Sequence, residues 1–269
     1  VTTLTNSAEG GTNGTTVTTA NSGAASGAAF DAVANTGTGA VDIFDNTHAA
    51  HGVLSYKFAT GSTATTSDHS WTTSMGSLTQ VWFRIYLYFT GTPSANTRVW
   101  TVTHGGSLGA ELQVLSSSGK LNFRNSANAS VLTSTAAIPL NAWFRVEGFV
   151  IQSATVGQLE MKLFTTNPDG STPDETDTSA ATQNTGSTAF DGYTFGVAST
   201  TANLGPYWMD DLGLSSTGYV GTATPSGPVF VQATQPVRAR IPQVFSKGRP
   251  ASNPGAPLRN PTVGPPFRL

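Results

Sequence analysis

The sequence predicts an all-β protein, a sandwich of two antiparallel sheets followed by an extended proline-rich arm, and three observations predict it. In Asn141 to Gln152 two residue sets alternate with period two: Phe144, Val146, Gly148 and Val150 on one face, Trp143, Arg145, Glu147, Phe149 and Ile151 on the other. Side chains of a strand point alternately to its two faces, so one face belongs to an apolar core and the other meets something more polar. Further short runs of this kind follow one another between Gly, Thr and Asn turn formers, with almost no helical periodicity. At residue 222 the composition changes, and ten of the fifteen prolines lie in 222–269.

Taken in order, residues 1–21 read as a loose lead-in with one short strand near Thr15 to Thr19. Ala28 to Val33, Ala40 to Phe44 and Gly52 to Ala59 are short strands, the third with Leu54, Tyr56 and Phe58 on one face. Val81 to Thr90 is the second strong strand. Phe83, Ile85, Leu87 and Phe89 form its apolar face, and Trp82, Arg84, Tyr86 and Tyr88 its amphipathic one. Arg98 to Thr103, Glu111 to Leu115, Lys120 to Arg124 and Val131 to Thr133 continue the antiparallel pattern. Gln158 to Phe164 alternates again, Asn167 to Ser187 is a long polar loop, and Gly192 to Ala198 and Tyr207 to Ser215 close the series. Many short strands at regular spacing with almost no helix make a two-sheet sandwich.

The chain has 269 residues, of which 38% are hydrophobic and only 10% charged. A surface so poor in charge is covered by Thr, Ser, Asn and Gly, which suits an extracellular or virion protein better than a helical cytosolic enzyme. Cysteine is absent, so neither a disulfide framework nor a thiolate metal site is expected. No apolar run approaches the roughly 20 residues that span a bilayer, so no membrane partner is expected, and the N-terminus lacks the regions of a signal peptide. The net charge of −2 hides a division: all fifteen acidic residues precede residue 222, together with seven of the thirteen basic ones. The six remaining basic residues stand in 222–269 without a carboxylate.

Sugars are held by aromatic rings against their C–H faces and by planar polar groups against their hydroxyls. Trp82, Arg84, Tyr86 and Tyr88, with Arg145 and Glu147 on another strand, can make such a face; the alternatives are a paired structural couple at Arg145 and Glu147 and aromatic rings that merely cover a sheet. Glycoside hydrolysis needs two carboxylates across the scissile bond. Glu147 has no second acid in its strand, and Asp210 and Asp211 point to opposite faces if their segment is regular. These two are expected to accept backbone hydrogen bonds that order neighbouring loops, with Ca²⁺ at Asp210 and Asp211 as the sole cofactor considered. His48 and His51 read as loop histidines. No metal-binding histidine helix, nucleophile elbow or phosphate loop is present.

The segments HGVLSYKF at His51 to Phe58, FRIYLYF at Phe83 to Phe89, NAWFRVEGFV at Asn141 to Val150 and YWMDDLGLSSTGYVG at Tyr207 to Gly221, in this order, resemble the concanavalin A-like, laminin-G-like jelly rolls. The resemblance covers roughly residues 5–221 and implies a curved jelly-roll sandwich. It implies glycan binding on or beside the concave sheet, or a purely adhesive or structural role. The strand motif with paired acids found in the catalytic jelly-roll glucanases is missing here.

Proline at the density of 222–269 forbids helix and sheet interior and favours extended chain. Apolar and basic anchors recur between the prolines: Phe230, Arg238, Arg240, Ile241, Phe245, Arg249, Leu258, Arg259 and Phe267. Such an arm is suited to lie along another protein's surface, since proline has already restricted it. It also resembles the C-terminal ends of structural proteins of bacteriophages that infect actinobacteria. Six charges diluted by ten prolines make a poor nucleic-acid binder, so nucleic acid is not an expected partner.

Together these readings give a jelly roll over 1–221 and an anchoring arm over 222–269. The expected role is that of a non-enzymatic virion protein, a capsid decoration or minor tail protein. The arm would attach it to other virion proteins, the jelly roll would reach host-surface polysaccharide, and homo-oligomers are compatible. The alternatives are an extracellular carbohydrate-binding module and a divergent glycan hydrolase.

Overall fold

The computed structural model describes residues 2–61, 65–200 and 204–223. The chain divides into two units, Val1–Pro228 and Val229–Leu269. The predicted arm anchors, from Phe230 to Phe267, lie outside the described residues, and the account that follows concerns the first unit.

Fifteen strands form it among the described residues. They are β1 (Thr3–Asn6), β2 (Ala32–Thr36), β3 (Val41–Asp45), β4 (Ser55–Ala59), β5 (Thr65–Trp71), β6 (Gln80–Phe89), β7 (Thr97–His104) and β8 (Ser107–Val114). They continue with β9 (Lys120–Asn125), β10 (Ser130–Ala137), β11 (Trp143–Ile151), β12 (Gln158–Phe164), β13 (Glu175–Thr178), β14 (Gly192–Thr200) and β15 (Tyr207–Ser215). An eight-stranded antiparallel sheet runs β13-β12-β11-β6-β15-β4-β3, with β1 paired to β15, and a seven-stranded sheet runs β10-β9-β8-β7-β14-β5-β2. This is the predicted all-β, two-sheet antiparallel sandwich.

The core lies between the sheets and is built from the alternations read in the sequence. Phe83, Ile85, Leu87, Phe144, Val146 and Val150 from the first sheet face Trp100, Val102, Leu112, Phe123 and Phe195 from the second, all fully buried. Phe83 stacks on Trp100 with ring centroids 4.1 Å apart, and Phe89 stacks on Tyr207 at 5.1 Å. Beyond its area, the Phe83–Trp100 contact fixes the two sheets in relative position, while the Phe89–Tyr207 contact joins neighbouring strands β6 and β15 of the first sheet.

Five details depart from the sequence reading. The lead-in is tied down by β1, four residues paired with the second half of β15, while Thr16 makes only an isolated bridge to Ile43 in place of the expected strand at 15–19. β2 lies a few residues later than Ala28 to Val33. The sequence reading missed β5, and the long loop 167–187 contains a four-residue edge strand, β13, paired with β12. The last departure concerns β15, whose residues Tyr207–Met209 pair with β4 and whose later residues pair with β1. At the junction a bulge interrupts the pairing with β6, and Asp211 takes a left-handed φ of +46°.

Candidate carbohydrate-binding faces

On the outward face of the eight-stranded sheet the structure brings together four of the six predicted sugar-binding residues, and covers them. Arg84, Tyr86, Arg145 and Glu147 are all at most 4% exposed. Polar groups taken out of water need partners, and here the chain's own backbone supplies them. Arg145 donates from Nη1 to the Pro168 carbonyl and from Nη2 to the Gly170 carbonyl at 2.8 Å, with its guanidinium 3.7 Å from the Phe164 ring centroid. Arg84 donates from Nε to the Asp211 carbonyl at 2.8 Å and from Nη1 to the Gly221 carbonyl at 3.0 Å. Tyr86 donates to Asp169 at 2.9 Å and accepts from the Ala223 N–H at 3.3 Å. The Arg145 Nε lies 3.3 Å from Glu147 Oε1, an ion pair without a hydrogen bond between those two atoms. Burial raises the Glu147 carboxyl above its ordinary value, against the pull of Arg145 and Arg84.

Two straps, 168–170 and 219–223, therefore lie over the middle of this face, gripped by the residues that the sequence offered as a sugar site. The grip is on peptide carbonyls and N–H groups. A cleft of about 370 Å³ opens on one side of the second strap, lined by Arg145, Glu147, Lys162 and Tyr219, and one of about 400 Å³ on the other, lined by Arg84 and Asp211. Trp82 and Tyr88, the remaining predicted residues, are half-buried at the two ends of β6; Trp82 leans on Phe149, and Tyr88 on Trp143 and His48.

The bulge in β15 overturns the expectation that Asp210 and Asp211 face opposite ways. Both turn outward onto the loop 46–54. Asp210 accepts from the N–H groups of Ala50 at 2.9 Å and His51 at 3.3 Å, as expected of a loop-ordering carboxylate, and from the Asp211 N–H at 2.7 Å. Burial and the Asp211 charge raise the Asp210 carboxyl well above its ordinary value, against those three donors. The Asp211 carboxylate lies 2.5 Å from His51 Nδ1, and Asp169 3.0 Å from His51 Nε2; the hydrogen bond that His51 donates to Asp211, then the Asp211 charge, raise the His51 pKa against burial. Hydrogen-bond donors aimed at both carboxylates do not fit a Ca²⁺ site, and among the described residues no three such side chains converge as a metal-binding set.

The outward face of the seven-stranded sheet is different in kind, because among the described residues no strap crosses its centre. Register places Thr194, Thr101, Glu111 and Arg124 in one row across β14, β7, β8 and β9. Arg98, Gln113, Asn122 and Thr133 form a second row across β7 to β10, about 7 Å from the first at two residues of strand rise. Arg124 Nη1 donates to Glu111 Oε1 at 2.9 Å, and Arg98 Nε lies 2.8 Å from Glu111 Oε2 with its N–H off the oxygen's line. Gln113 donates to Asn122 at 3.1 Å. Thr101 Oγ1 is buried, without a partner among the described residues, beneath a cleft of about 430 Å³ lined by Arg98, Thr103, Leu108, Ser126, Asn128 and Thr194. A second cleft of about 320 Å³, over Gln113, Asn122 and Arg124, meets the first at Asn128.

Sequence reasoning missed this face. Its signal, the polar half of each alternation in β7, β8 and β9, was present, but Thr, Gln and Asn carry no chemical signature in one dimension. Only the register shows that they form continuous rows.

The structure defines the class of protein as a two-sheet antiparallel β-sandwich. No protein-family model matches the chain, and no curated protein matches it. Among solved structures the chain is similar to the cellulose-induced protein Cip1, with a TM-score of 0.52 and 17% identity over 70% of this chain and 91% of that one. It is similar, with a TM-score of 0.43 and 12% identity over 72% of this chain and 83% of that one, to domain 4 of AbnA, an extracellular arabinanase of Geobacillus stearothermophilus, in complex with arabinotriose. The alginate lyase vAL-1 from Chlorella virus gives 0.43 and 7% over 64% and 88%. The Cip1 likeness shows the shared fold.

Proposed function

We propose that the protein is a carbohydrate-binding β-sandwich whose ligand lies across the outward face of the seven-stranded sheet. The observation that carries this reading is the pair of contiguous clefts over two rows of planar polar and hydroxyl side chains, held in place by the Arg98–Glu111–Arg124 network. A face of fixed donors and acceptors offers sugar hydroxyls partners without first having to be ordered. The reading is of binding and not of hydrolysis: Glu111 is held between two guanidiniums, which leaves Asp68 on β5 as the remaining carboxylate of the central face among the described residues, whereas hydrolysis uses two that reach the scissile bond. It takes the place of the virion reading, which rests on the composition of 222–269 and finds no support in the fold or in the comparisons.

The test is affinity electrophoresis against a panel of soluble polysaccharides. Thr194→Arg fills the larger cleft from a half-buried outward position and is expected to weaken binding at least tenfold. Trp82→Ala, on the opposite sheet, is expected to leave binding unchanged. The reverse pattern would move the ligand to the eight-stranded sheet, and no retardation by any polysaccharide would end the reading.

A further inference from the structure

Among the described residues Asp68 is the one carboxylate on this face that the network does not absorb. It stands on β5 opposite Gly196 of β14, the strand that separates β5 from β7. Gly196 has φ +107°, and a Cβ there would sit 2.4 Å from the Ser67 carbonyl and 3.2 Å from the Asp68 Cβ. Gly196 itself therefore raises no side chain between Asp68 and the Arg98 side of the face, and among the described residues this leaves a gap of about two strand spacings, or roughly 10 Å. Among the described residues nothing donates a hydrogen bond to the Asp68 carboxylate, although it is half-buried. A half-buried carboxylate without a donor is costly, and a hydroxyl-bearing ligand in the gap would supply what is missing.

We propose that Asp68 is the specificity-determining residue of the face, accepting hydrogen bonds from a pair of hydroxyls of a neutral sugar and disfavouring glycans that carry carboxylates. The inference rests on the reading of this face as a carbohydrate site. The charges agree with it. Arg98 and Arg124 share Glu111, Asp68 adds a second negative charge, and the described residues at the centre of the face carry no net charge that would draw in a polyanion; Lys120 stands at the start of β9. A uronate placed over Gly196 would meet Asp68 as a like charge, which costs affinity.

The environment also sets a pH dependence. Burial raises the Asp68 pKa to about 6, with Arg98 from β7 and His69 on its own strand pulling it down and Asp42 from β3 pushing it up. The ionised form is the acceptor of two hydroxyls, so binding through it is present above about pH 6 and is lost as the pH falls through that value.

The experiment measures the affinity of the whole chain for hydroxyethyl cellulose, xylan and polygalacturonate from pH 5 to 7.5, beside Asp68→Asn. Expected are binding of a neutral polysaccharide that weakens toward pH 5, weaker binding of polygalacturonate, and a roughly tenfold loss in Asp68→Asn at pH 7.5 with a flat profile. Asp68→Asn should melt no lower than the parent, because burial already disfavours the charge it removes, so lost affinity would not be lost fold. The pH profile of the unaltered chain tests the proposal without any variant. Binding that is sensitive to Thr194→Arg but flat with pH and equal in Asp68→Asn overturns the role of Asp68, as does polygalacturonate bound as tightly as the neutral chains. Absence of all polysaccharide binding overturns instead the reading of the face.

Discussion

Arg145→Ala is expected to remove about 3–5 kcal/mol of unfolding free energy, the cost of leaving one partner of a buried ion pair behind. The argument is geometric. The guanidinium is 1% exposed and holds the Pro168 and Gly170 carbonyls, the Tyr86 hydroxyl at 3.3 Å and the Glu147 carboxylate at once. Alanine strands all of them, and the strap at 168–170 loses its main attachment. For a chain of this size the loss corresponds to a fall in Tm of roughly 10 °C. Glu147→Gln should cost clearly less, because burial has already raised that carboxyl and a neutral amide fits the same environment. Urea unfolding of the two variants measures both. A loss below about 1 kcal/mol for Arg145→Ala would mean that the grip is weak and the strap rests on other contacts. Neither variant touches the seven-stranded sheet, so carbohydrate binding by the folded fraction should persist.

The same residue shows where one-dimensional reading stops. The alternation Trp143-Phe144-Arg145-Val146-Glu147 made the strand, its core face and the pairing of Arg145 with Glu147 legible. What lay on the other side of that face was not. A polar outward row reads identically whether water, a sugar or the chain's own loop covers it, and the covering residues 168–170 and 219–223 are 23 or more positions away in sequence. Asp210 and Asp211 failed for a related reason. Their expected divergence assumed regular extension, and the bulge that turns both outward arises where β15 exchanges β4 for β1 as neighbour, a consequence of sheet topology. The Asp68 to Gly196 gap is likewise a product of register between strands 128 residues apart.

β5 was illegible for a different reason, and it yields the last prediction. Its sequence, Thr65-Thr66-Ser67-Asp68-His69-Ser70-Trp71, looks polar throughout, yet Ser67, His69 and Trp71 are its core face and are fully buried. Polar groups can stand there because partners meet most of them, His69 Nδ1 having none among the described residues. Ser67 donates to the Val41 carbonyl at 2.7 Å, Trp71 to the Ala29 carbonyl at 2.8 Å, and His69 Nε2 lies 2.8 and 2.9 Å from the two oxygens of Asp42, itself fully buried on β3. The imidazole stacks on Phe30 at 4.4 Å with Tyr56 and Phe58 around it. The Asp42–His69 pair thus joins the two sheets through the core. Asp42→Ala leaves the imidazole donor with no acceptor and should cost about 3 kcal/mol, between the limits for a lost neutral hydrogen bond and a broken ion pair. The double variant Asp42→Val with His69→Phe removes both polar partners and fills their space with apolar groups. It should be no less stable than Asp42→Ala, and the non-additivity of the cycle should exceed about 1 kcal/mol. Additive losses would show instead that the pair is two independent packing sites and that the aromatic cage around His69, not its hydrogen bond, holds β5 in the sheet.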